Sequence, residues 1–319
     1  MRILHSDAPR GKSPVRGPPM TGIFRAEPHP GPCVPKIWID GQYLEKADAR
    51  ISVYDHGLLY GDGVFEGIRA YDRRVFRLRQ HVDRIYASAH AIVLDIPMAR
   101  DAMCAMVDDC VRVNGLNDAY IRLVVTRGVG DLGMDPVKCP KPTIFCIADA
   151  ISLWPKEKYE RGLGVVTVPT PVNQPHNLSP QVKSLNYLAH IMAKVEATNA
   201  GADEALMLDP SGMVAEGSGQ NVFCVQGRTL RTPPESAGIL RGITRGAIVE
   251  VAHEAGYDVS EAPLTRYDIY SADEAFFSGT AAEVAGIVKL DGRRIGEGKV
   301  GPITRDIAAR FTALARRAD

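Results

Sequence analysis

The sequence predicts an α+β fold with two domains, and three observations support this. Strand-like and helix-like patterns both occur in each half of the folded part. A stretch at residues 151–162 contains Pro155 and a Lys-Glu-Lys run, which is typical of a linker. A chain of 319 residues also corresponds to roughly two domains of ordinary size. We therefore expect a small N-terminal domain at residues 36–150 and a larger C-terminal domain at residues 163–319.

Residues 1–35 differ from the rest of the chain because they contain eight prolines and no hydrophobic periodicity. Proline-rich segments without an apolar pattern do not build a packed core, so we expect this extension to be disordered. The prolines also argue against an amphipathic targeting helix, and the segment lacks the apolar stretch of a secretory signal.

The composition argues against several classes of function. Lysine plus arginine and aspartate plus glutamate both number 38, so there is no excess of positive charge for nucleic acid or an anionic membrane. No apolar run approaches the ~20 residues of a membrane-spanning helix. The six cysteines are scattered, without a CxxC motif or zinc spacing, so we expect no metal site. They indicate reduced thiols in a cytoplasmic protein.

The N-terminal domain begins with strand patterns and continues with two helices. A short strand from residue 36 ends at an Asp40-Gly41 turn signal, and a second strand is expected at residues 50–55. Residues 56–67 contain four glycines, but the spacing departs from a dinucleotide-binding motif and a strand follows instead of a helix. The remaining predicted elements are a strand at residues 74–77, helices at 80–93 and 100–114, and strands at 119–126 and 143–148.

The C-terminal domain also combines strand and helix patterns, and no internal repeat is present. Strands are predicted from β-branched and alternating patterns, and helices from periodicity near 3.6. The predicted strands lie at residues 164–168, 204–208, 221–225, 274–277 and 287–290, and the predicted helices lie at 183–200, 244–255 and 303–317.

Lys183 and Tyr187 form the first chemically suggestive pair. In a helix at residues 183–200, positions i and i+4 share a face, so both side chains would point in the same direction. An amine and a phenol directed at one space suit imine chemistry. The alternative is a surface lysine beside a half-buried tyrosine, because most lysines are exposed.

Three further segments offer groups for a charged ligand. Gly242, Ile243 and Thr244 open a predicted helix, where backbone N–H groups and a hydroxyl can bind an anion. Small residues around Thr280 leave the backbone accessible to a phosphate or carboxylate. Glu216, which precedes a Gly-Ser-Gly run, could face a ring nitrogen and keep it protonated. The alternatives are ordinary helix caps at the threonines and a solvated turn acid.

Together these groups indicate one cofactor. An amine, a phenol, a carboxylate and two anion sites match an imine carbon, a ring oxygen, a pyridine nitrogen and a phosphate. This is the set of partners that pyridoxal phosphate requires.

Seven segments carry a family resemblance, and they are Tyr60-Gly-Asp-Gly-Val-Phe65-Glu-Gly-Ile-Arg69, His81-x-x-Arg84, Tyr120-Ile-Arg122, Lys183-Ser-Leu-Asn-Tyr187, Glu216-Gly-Ser-Gly-Gln-Asn221, Leu240-Arg-Gly-Ile-Thr244 and Ser278-Gly-Thr-Ala-Ala-Glu283. In this order they resemble the class IV aminotransferases, which are fold-type IV pyridoxal-phosphate enzymes, and most of all the branched-chain amino-acid aminotransferases. The resemblance covers the chain from about residue 36 to its end and implies the two-domain α+β fold of that family. Leu123 and Gln220 depart from the pattern, because proline and an acid are common at those positions.

The resemblance implies a role for each cofactor residue. Lys183 would bind the cofactor through an imine and then act as general base, which makes it the catalytic residue. Tyr187 would contact the ring oxygen, and Glu216 would contact the ring nitrogen. The phosphate would be held by Arg84, by the helix start and by one threonine side chain, that is by Arg84, Gly242, Ile243, Thr244 and Thr280.

The resemblance also implies a substrate side. Aromatic residues would form an apolar pocket, an arginine would help to accept the distal carboxylate of glutamate, and two backbone amides would hold the α-carboxylate. The residues expected there are Tyr60, Phe65, Arg69, Tyr120, Arg122, Thr280 and Ala281, with Arg122 as the arginine and Thr280 and Ala281 as the amides.

The implied reaction transfers the amino group of L-leucine, L-isoleucine or L-valine to 2-oxoglutarate, giving the branched 2-oxo acid and L-glutamate by a ping-pong mechanism. A D-amino-acid or (R)-amine transaminase of the same fold is the alternative, with an aminodeoxychorismate lyase as a more distant one. A non-catalytic binder is disfavoured by the intact Lys183, Tyr187 and Glu216. Because the family completes its site with a loop of the neighbouring subunit, we expect at least a homodimer.

Overall fold

The computed structural model describes residues 35–174 and 176–317. The disorder predicted for residues 1–35 concerns a segment that, apart from Pro35, lies outside the described residues. Within the described residues, no helix has the length and apolar character needed to cross a membrane. The same residues contain no group of three or more His, Cys, Asp or Glu side chains arranged to hold a metal ion, and the five cysteines among them are free thiols.

Residues 36–149 build an antiparallel sheet of six strands. In chain order these are β1 (Lys36–Ile39), β2 (Gln42–Glu45), β3 (Gly63–Tyr71), β4 (Arg74–Val75), β5 (Ala119–Thr126) and β6 (Thr143–Asp149). They lie side by side in the order β2-β1-β6-β5-β3-β4, so β3 and β5 are neighbours near its centre. The helices of this region are α1 (His56–Tyr60), α2 (Leu78–Ala91) and α3 (Arg100–Val113).

Helices α2 and α3 cover one face of this sheet. Val82, Ile85 and Ala89 recur at helical spacing on α2 and are buried against the sheet. Because side chains alternate along a strand, Ile121 and Leu123 of β5 face these helices. Their neighbours Tyr120 and Arg122 therefore lie on the opposite face of β5, away from the helices.

Residues 163–294 build a mixed sheet of nine strands. They are β7 (Leu163–Thr167), β8 (Glu204–Leu208), β9 (Val214–Gly217), β10 (Asn221–Gln226), β11 (Thr229–Thr232), β12 (Asp258–Glu261), β13 (Glu274–Gly279), β14 (Glu283–Leu290) and β15 (Arg293–Arg294). The order is β12-β11-β10-β13-β14-β7-β8-β9, and β15 pairs with β14. Strand β9 also pairs with β10, which closes six strands into a ring and sets Glu216 opposite Asn221.

Five helices accompany the second sheet, namely α4 (Lys156–Arg161), α5 (Leu188–Asn199), α6 (Ile243–Glu254), α7 (Arg266–Tyr270) and α8 (Pro302–Arg316). Helices α6 and α8 bury Ile248, Val251, Ile307 and Phe311 in one apolar cluster with strands of this sheet. The packing of α6 on the sheet fixes the direction of its N-terminus, which becomes one wall of the site described below.

Several elements of the structure are not among the predicted ones, including β2, β3, β9, β11, β12, α1 and α7, and the following predicted segments differ most. Residues 50–55 do not form a strand, because Asp55 instead accepts a hydrogen bond from the Gly57 N–H at 2.8 Å and caps α1. The predicted linker at residues 151–162 contains the short helix α4. The helix predicted at residues 183–200 begins only at Leu188. The assignment of the two sheets to separate domains joined by a linker stays a prediction.

Candidate active site

One pocket lies where the first sheet meets the second. Gly67, Arg84 and Tyr120 line it from the first region, and Lys183 and Glu216 line it from the second. All eight residues predicted to bind the cofactor line this pocket, that is Arg84, Lys183, Tyr187, Glu216, Gly242, Ile243, Thr244 and Thr280. The chain therefore gathers one amine, two phenols, two side chains of opposite charge type and a helix start around a single space.

Lys183 lies on an extended segment, so the helical explanation for its pairing with Tyr187 is wrong. The carbonyl of Lys183 accepts a hydrogen bond from the Phe65 N–H at 2.9 Å, and the Leu185 N–H donates to the Gly63 carbonyl at 2.9 Å. Because β3 takes these backbone groups, they are not available for helical hydrogen bonds. The two side chains still meet, since Lys183 Nζ donates to the Tyr187 hydroxyl at 2.9 Å.

Glycines in β3 allow this close approach. A side chain at Gly63 would lie 2.7 Å from the Val125 carbonyl oxygen and 2.8 Å from Leu185 Cδ1, which is closer than real contacts. A side chain at Gly67 would collide with the Tyr120 hydroxyl, which lines the pocket. The glycine-rich stretch read from the sequence thus brings β3 against the lysine segment and leaves space for the aromatic residues.

The pocket changes the acid–base properties of the pair. Desolvation, helped by the nearby Arg84 charge, lowers the pKa of Lys183 to about 8. Burial raises the pKa of Tyr187 well above its ordinary value, so the phenol keeps its proton at neutral pH. A lysine with a lowered pKa has more neutral amine at neutral pH, and the neutral amine is the form that attacks a carbonyl.

Glu216 is a buried carboxylate, 5% exposed, that makes no ion pair within the described residues. Its hydrogen-bond partners are neutral: the Leu240 N–H donates at 3.1 Å and Asn221 Nδ2 donates at 3.2 Å. Desolvation raises the pKa of Glu216 to about 8, although the Leu240 N–H and the Lys183 charge oppose the shift. The Glu216 side chain is therefore held in place and, because no cation compensates it, keeps its proton at neutral pH.

Arg84 is held by a second buried carboxylate that the sequence did not single out. Arg84 Nε donates to Glu66 Oε1 at 2.7 Å and Nη2 donates to Glu66 Oε2 at 2.8 Å, while His81 Nδ1 lies 2.7 Å from Glu66 Oε2. Burial alone would raise the pKa of Glu66, but Arg84 and His81 outweigh it and hold the pKa at about 2. The remaining Nη1 of Arg84 donates to the Arg241 carbonyl at 2.8 Å, next to the start of α6.

The start of α6, next to Arg84, makes part of the pocket suited to an anion. Gly242 is the N-cap of α6, and Ile243 and Thr244 form its first turn, so their N–H groups have no helical acceptor. A side chain at Gly242 would collide with Asn221, the residue whose amide holds Glu216. The Ser278 hydroxyl, which sequence analysis did not assign a role, lines the same pocket and is buried without a hydrogen-bond partner.

Three of the predicted substrate residues surround the lysine amine. The Arg122 guanidinium lies 4.6 Å from the centre of the Phe65 ring, and Lys183 Nζ lies 4.4 Å from it. Arg122 Nη2 donates to the Tyr120 hydroxyl at 3.0 Å. Arg122 makes no ion pair within residues 35–174 and 176–317, so aromatic surface and an uncompensated cation occur side by side.

Four of the predicted substrate residues do not line this pocket, namely Tyr60, Phe65, Arg69 and Arg122, although Phe65 lies beside the Lys183 amine and Arg122 lies beside Phe65. Tyr60 is 39% exposed at the end of α1, and its hydroxyl donates to the Leu132 carbonyl. Arg69 pairs with Glu283 at 3.3 Å, beside the ring of Tyr71. Ala281 and Thr280, in contrast, line the pocket as expected from their segment.

Comparison with known proteins identifies the family. The model of the family described as Amino-transferase class IV matches residues 63–290, which is more than half of the chain. The chain belongs to the class IV aminotransferases. This agrees with the resemblance seen in the seven sequence segments, and it establishes the α+β fold of that family.

Named relatives of this class IV aminotransferase are similar over most of their length. A Methanocaldococcus jannaschii protein, provisionally named a branched-chain-amino-acid aminotransferase, is 51% identical over 276 residues, covering 86% of this chain and 95% of the relative. The Pseudomonas aeruginosa branched-chain-amino-acid aminotransferase is 40% identical over 283 residues, covering 87% and 92%. The solved branched-chain amino acid aminotransferase from Thermobaculum terrenum, in its PLP-form, is 30% identical with a TM-score of 0.80, covering 89% of this chain and 95% of that chain.

Proposed function

We propose that this class IV aminotransferase is a pyridoxal-phosphate enzyme that transfers the amino group of L-leucine, L-isoleucine or L-valine to 2-oxoglutarate. The observation that carries the proposal is a lysine with a lowered pKa in the same pocket as a buried carboxylate without a cation. A protonated pyridine nitrogen is the cation that Glu216 lacks, and an aldehyde is the partner of a neutral amine. The names of the relatives support the choice of substrates and cofactor.

The residues of the pocket fit the cofactor group by group. Lys183 would bind its aldehyde, Tyr187 would contact the ring oxygen, and Glu216 would hold the proton on the ring nitrogen. Arg84 and the N–H groups of Ile243 and Thr244 would bind the phosphate, and the unpartnered Ser278 hydroxyl offers one further donor in the same pocket. The bound cofactor supplies an electron sink for the carbanion that forms at the amino-acid Cα.

The chain itself supplies proton transfer and orientation. When it is free and neutral, Lys183 Nζ would act as the base that removes the Cα proton of the substrate. Its lowered pKa keeps a larger fraction of the amine unprotonated at neutral pH than in an exposed lysine. Phe65 and Tyr120 offer apolar surface for a branched side chain. Arg122 offers a charge for the distal carboxylate of 2-oxoglutarate, so one pocket accepts both substrates.

Thr280 and Ala281 line the pocket, and we assign their backbone N–H groups to the α-carboxylate of the substrate. Both substrates carry this group, and their side chains differ. Fixing the common group with backbone N–H donors leaves the variable side chain to the aromatic residues and Arg122. This division explains how amino donor and 2-oxo acceptor can use one site in turn, as a ping-pong mechanism requires.

We further propose a cytoplasmic homodimer as the smallest assembly. Helix α5 exposes Leu188, Ile191, Met192 and Val195, which recur at helical spacing and form an apolar stripe. A second subunit would remove this stripe from water. Tyr60 lies outside its own pocket, and we assign it to the substrate side of the neighbouring subunit. The free thiols among the described cysteines support a reducing compartment.

A panel of amino donors with 2-oxoglutarate as acceptor tests the proposal. We expect L-leucine, L-isoleucine and L-valine to produce glutamate, while D-alanine and an (R)-amine do not. Lys183→Ala is the matched inactive control, because it keeps the other pocket residues and removes the amine. Activity with D-alanine in the absence of activity with L-leucine would support the D-amino-acid alternative and contradict the proposal.

A further inference from the structure

His190 stacks on the tyrosine that contacts the catalytic lysine. It lies in the first turn of α5, three residues after Tyr187, and the two ring centres are 4.6 Å apart at an interplanar angle of 23°. Phe65 contacts the Tyr187 ring edge-on, with ring centres 4.9 Å apart at 72°. Two aromatic rings therefore restrict the Tyr187 ring, whose hydroxyl accepts the hydrogen bond from Lys183 Nζ.

A hydrogen bond fixes the other side of His190. Its Nδ1 lies 3.1 Å from the carbonyl oxygen of Ser218. A carbonyl only accepts, so Nδ1 carries the hydrogen and neutral His190 has its lone pair on Nε2. Ser218 belongs to the turn between β9 and β10, two residues after Glu216. His190 thus connects the phenol of the site to the turn that follows its uncompensated carboxylate.

The surroundings favour the neutral form of this histidine. Burial, and then the charge of Lys183, lower the pKa of His190, while the Ser218 carbonyl opposes the shift. A neutral ring can stack on the phenol without placing a second cation beside the lysine amine. His190 also lines the pocket itself, so its side chain is part of the site.

We propose that His190 is a positioning residue that holds the Tyr187 hydroxyl at the Lys183 amine and ties it to the Ser218 turn. The inference rests on the proposed cofactor site, because the hydroxyl it orients is the one assigned to the cofactor ring oxygen. Its effect reaches the cofactor through Tyr187, by limiting the positions that the phenol can occupy. Neither the lysine nor the glutamate motif of the sequence indicates this role.

Three substitutions separate the ring contact from the hydrogen bond. His190→Ala removes both, His190→Phe keeps the stacked ring, and His190→Asn keeps an N–H donor close to the Nδ1 position. His253→Ala is the matched control, because His253 is an exposed histidine in the last turn of α6, outside the pocket. Each protein is measured by equilibrium binding of pyridoxal 5'-phosphate and by the pH midpoint of the visible absorbance of the loaded protein.

We expect His190→Ala to bind the cofactor about threefold to tenfold more weakly than the unsubstituted protein, as the loss of one aromatic contact predicts. The pH midpoint of its visible absorbance should shift by about 0.4 pH unit or more. The Tyr187 hydroxyl would be held less firmly, so it would interact more weakly with the group whose protonation changes the visible absorbance. His190→Phe should recover at least half of the lost affinity, and His190→Asn should recover less. The kcat of His190→Ala should fall while KM for L-leucine stays within about twofold.

Two results would overturn the inference. One is a His190→Ala protein with the affinity and midpoint of the His253→Ala control. The other is a loss of thermal stability in all three variants with an unchanged midpoint, which describes a residue that only supports folding. If the unsubstituted protein shows no visible band with the cofactor, the proposed function fails and this inference fails with it. A normal band with an unchanged His190→Ala protein contradicts this inference alone.

Discussion

The region around Glu66 and the region around Glu216 contain the same chemical group in opposite electrostatic situations. Glu66 is 0% exposed, and two hydrogen bonds from Arg84 and one contact with His81 compensate its charge. Glu216 is nearly as buried, but among the described residues its hydrogen-bond donors are the neutral Leu240 and Asn221 N–H groups. The pKa of the first carboxyl is consequently about 2 and that of the second about 8.

The difference separates carboxyls that stabilise the fold from carboxyls that are available to a ligand. Glu66 forms hydrogen bonds that fix the Arg84 side chain, whereas Glu216 is positioned by hydrogen bonds and has no cation as a partner. Because an isolated buried charge is costly, Glu216 keeps its proton in the cofactor-free pocket up to a pH of about 8, and a cation beside it would favour the charged form. The cations show the same contrast, because Arg84 is paired with Glu66 while Arg122 makes no ion pair within the described residues.

The largest effect is expected from neutralising Glu216. Glu216→Gln keeps the shape and hydrogen-bonding capacity of the side chain but removes the charge assigned to the ring nitrogen. We expect kcat with L-leucine to fall about 10²–10³-fold, the usual result of losing one preorganised electrostatic contact. Steady-state kinetics with saturating cofactor measures this. A variant that keeps more than about half of the original kcat would contradict the role of Glu216 at the ring nitrogen.

Neutralising Glu66 should instead damage the fold. Glu66→Gln leaves the Arg84 guanidinium partly buried without its counter-charge, so we expect a loss of about 3 kcal/mol in the free energy of unfolding. Urea denaturation of the cofactor-free protein measures the change. Glu216→Gln is the matched control, since it removes a carboxylate that has no cation and should lose less than about 1 kcal/mol. Equal losses of unfolding free energy in both variants would contradict the proposed difference between Glu66 and Glu216.

The two carboxyls should also give opposite responses of stability to pH. The pKa of Glu216 is raised to about 8 in the folded protein, so the folded state retains a proton that the unfolded state loses. Stability of the cofactor-free protein should therefore decrease as pH rises from about 4.5 to 8, and Glu216→Gln should abolish this decrease. The pKa of Glu66 is lowered to about 2, so its contribution is present above pH ~4.5 and is lost as pH falls toward 2.

Urea titrations at a series of pH values measure the free energy of unfolding in both pH ranges. The control is the double variant Glu66→Gln/Glu216→Gln, in which neither carboxyl can titrate. If the slope between pH 4.5 and 8 is the same with and without Glu216, the raised pKa assigned to that carboxyl is wrong.

The smallest effect concerns the uncompensated arginine. Arg122→Ala should lower kcat/KM for 2-oxoglutarate about tenfold more than kcat/KM for 2-oxoisocaproate, because only the former has a distal carboxylate. Competition between the two acceptors in one assay gives the ratio directly. The same loss for both acceptors would mean that Arg122 acts on folding or on Tyr120 rather than on substrate charge.

Local patterns in the sequence identify many elements but not the contacts between distant ones. The strand at residues 119–126 has the predicted bounds because its alternation comes from its own residues. The helix predicted from residue 183 begins at Leu188, because β3, more than a hundred residues earlier, takes the backbone groups of the lysine segment. Long-range strand pairing leaves no sign in a short window of sequence.

In the candidate site, too, the sequence predicts some contacts and not others. The motifs predict that Lys183, Tyr187, Glu216 and Thr244 lie together, because the same set of motifs in the same order indicates the same arrangement in space. The role of Glu66 was missed, although its strand position next to an arginine-containing helix was the available signal. His190 follows Tyr187 by three residues, yet only the structure shows that their rings stack. Ser278 becomes notable only because its buried hydroxyl lacks a partner.

The central claim is that the Lys183 amine forms a covalent bond with the cofactor aldehyde. The most direct measurement is borohydride reduction of the protein loaded with pyridoxal 5'-phosphate, followed by peptide mapping by mass spectrometry. We expect a visible absorbance band before reduction and a phosphopyridoxyl group on Lys183 afterwards, with no modification at the corresponding position of Lys183→Ala. A colourless protein, or a modification confined to other lysines, would contradict it.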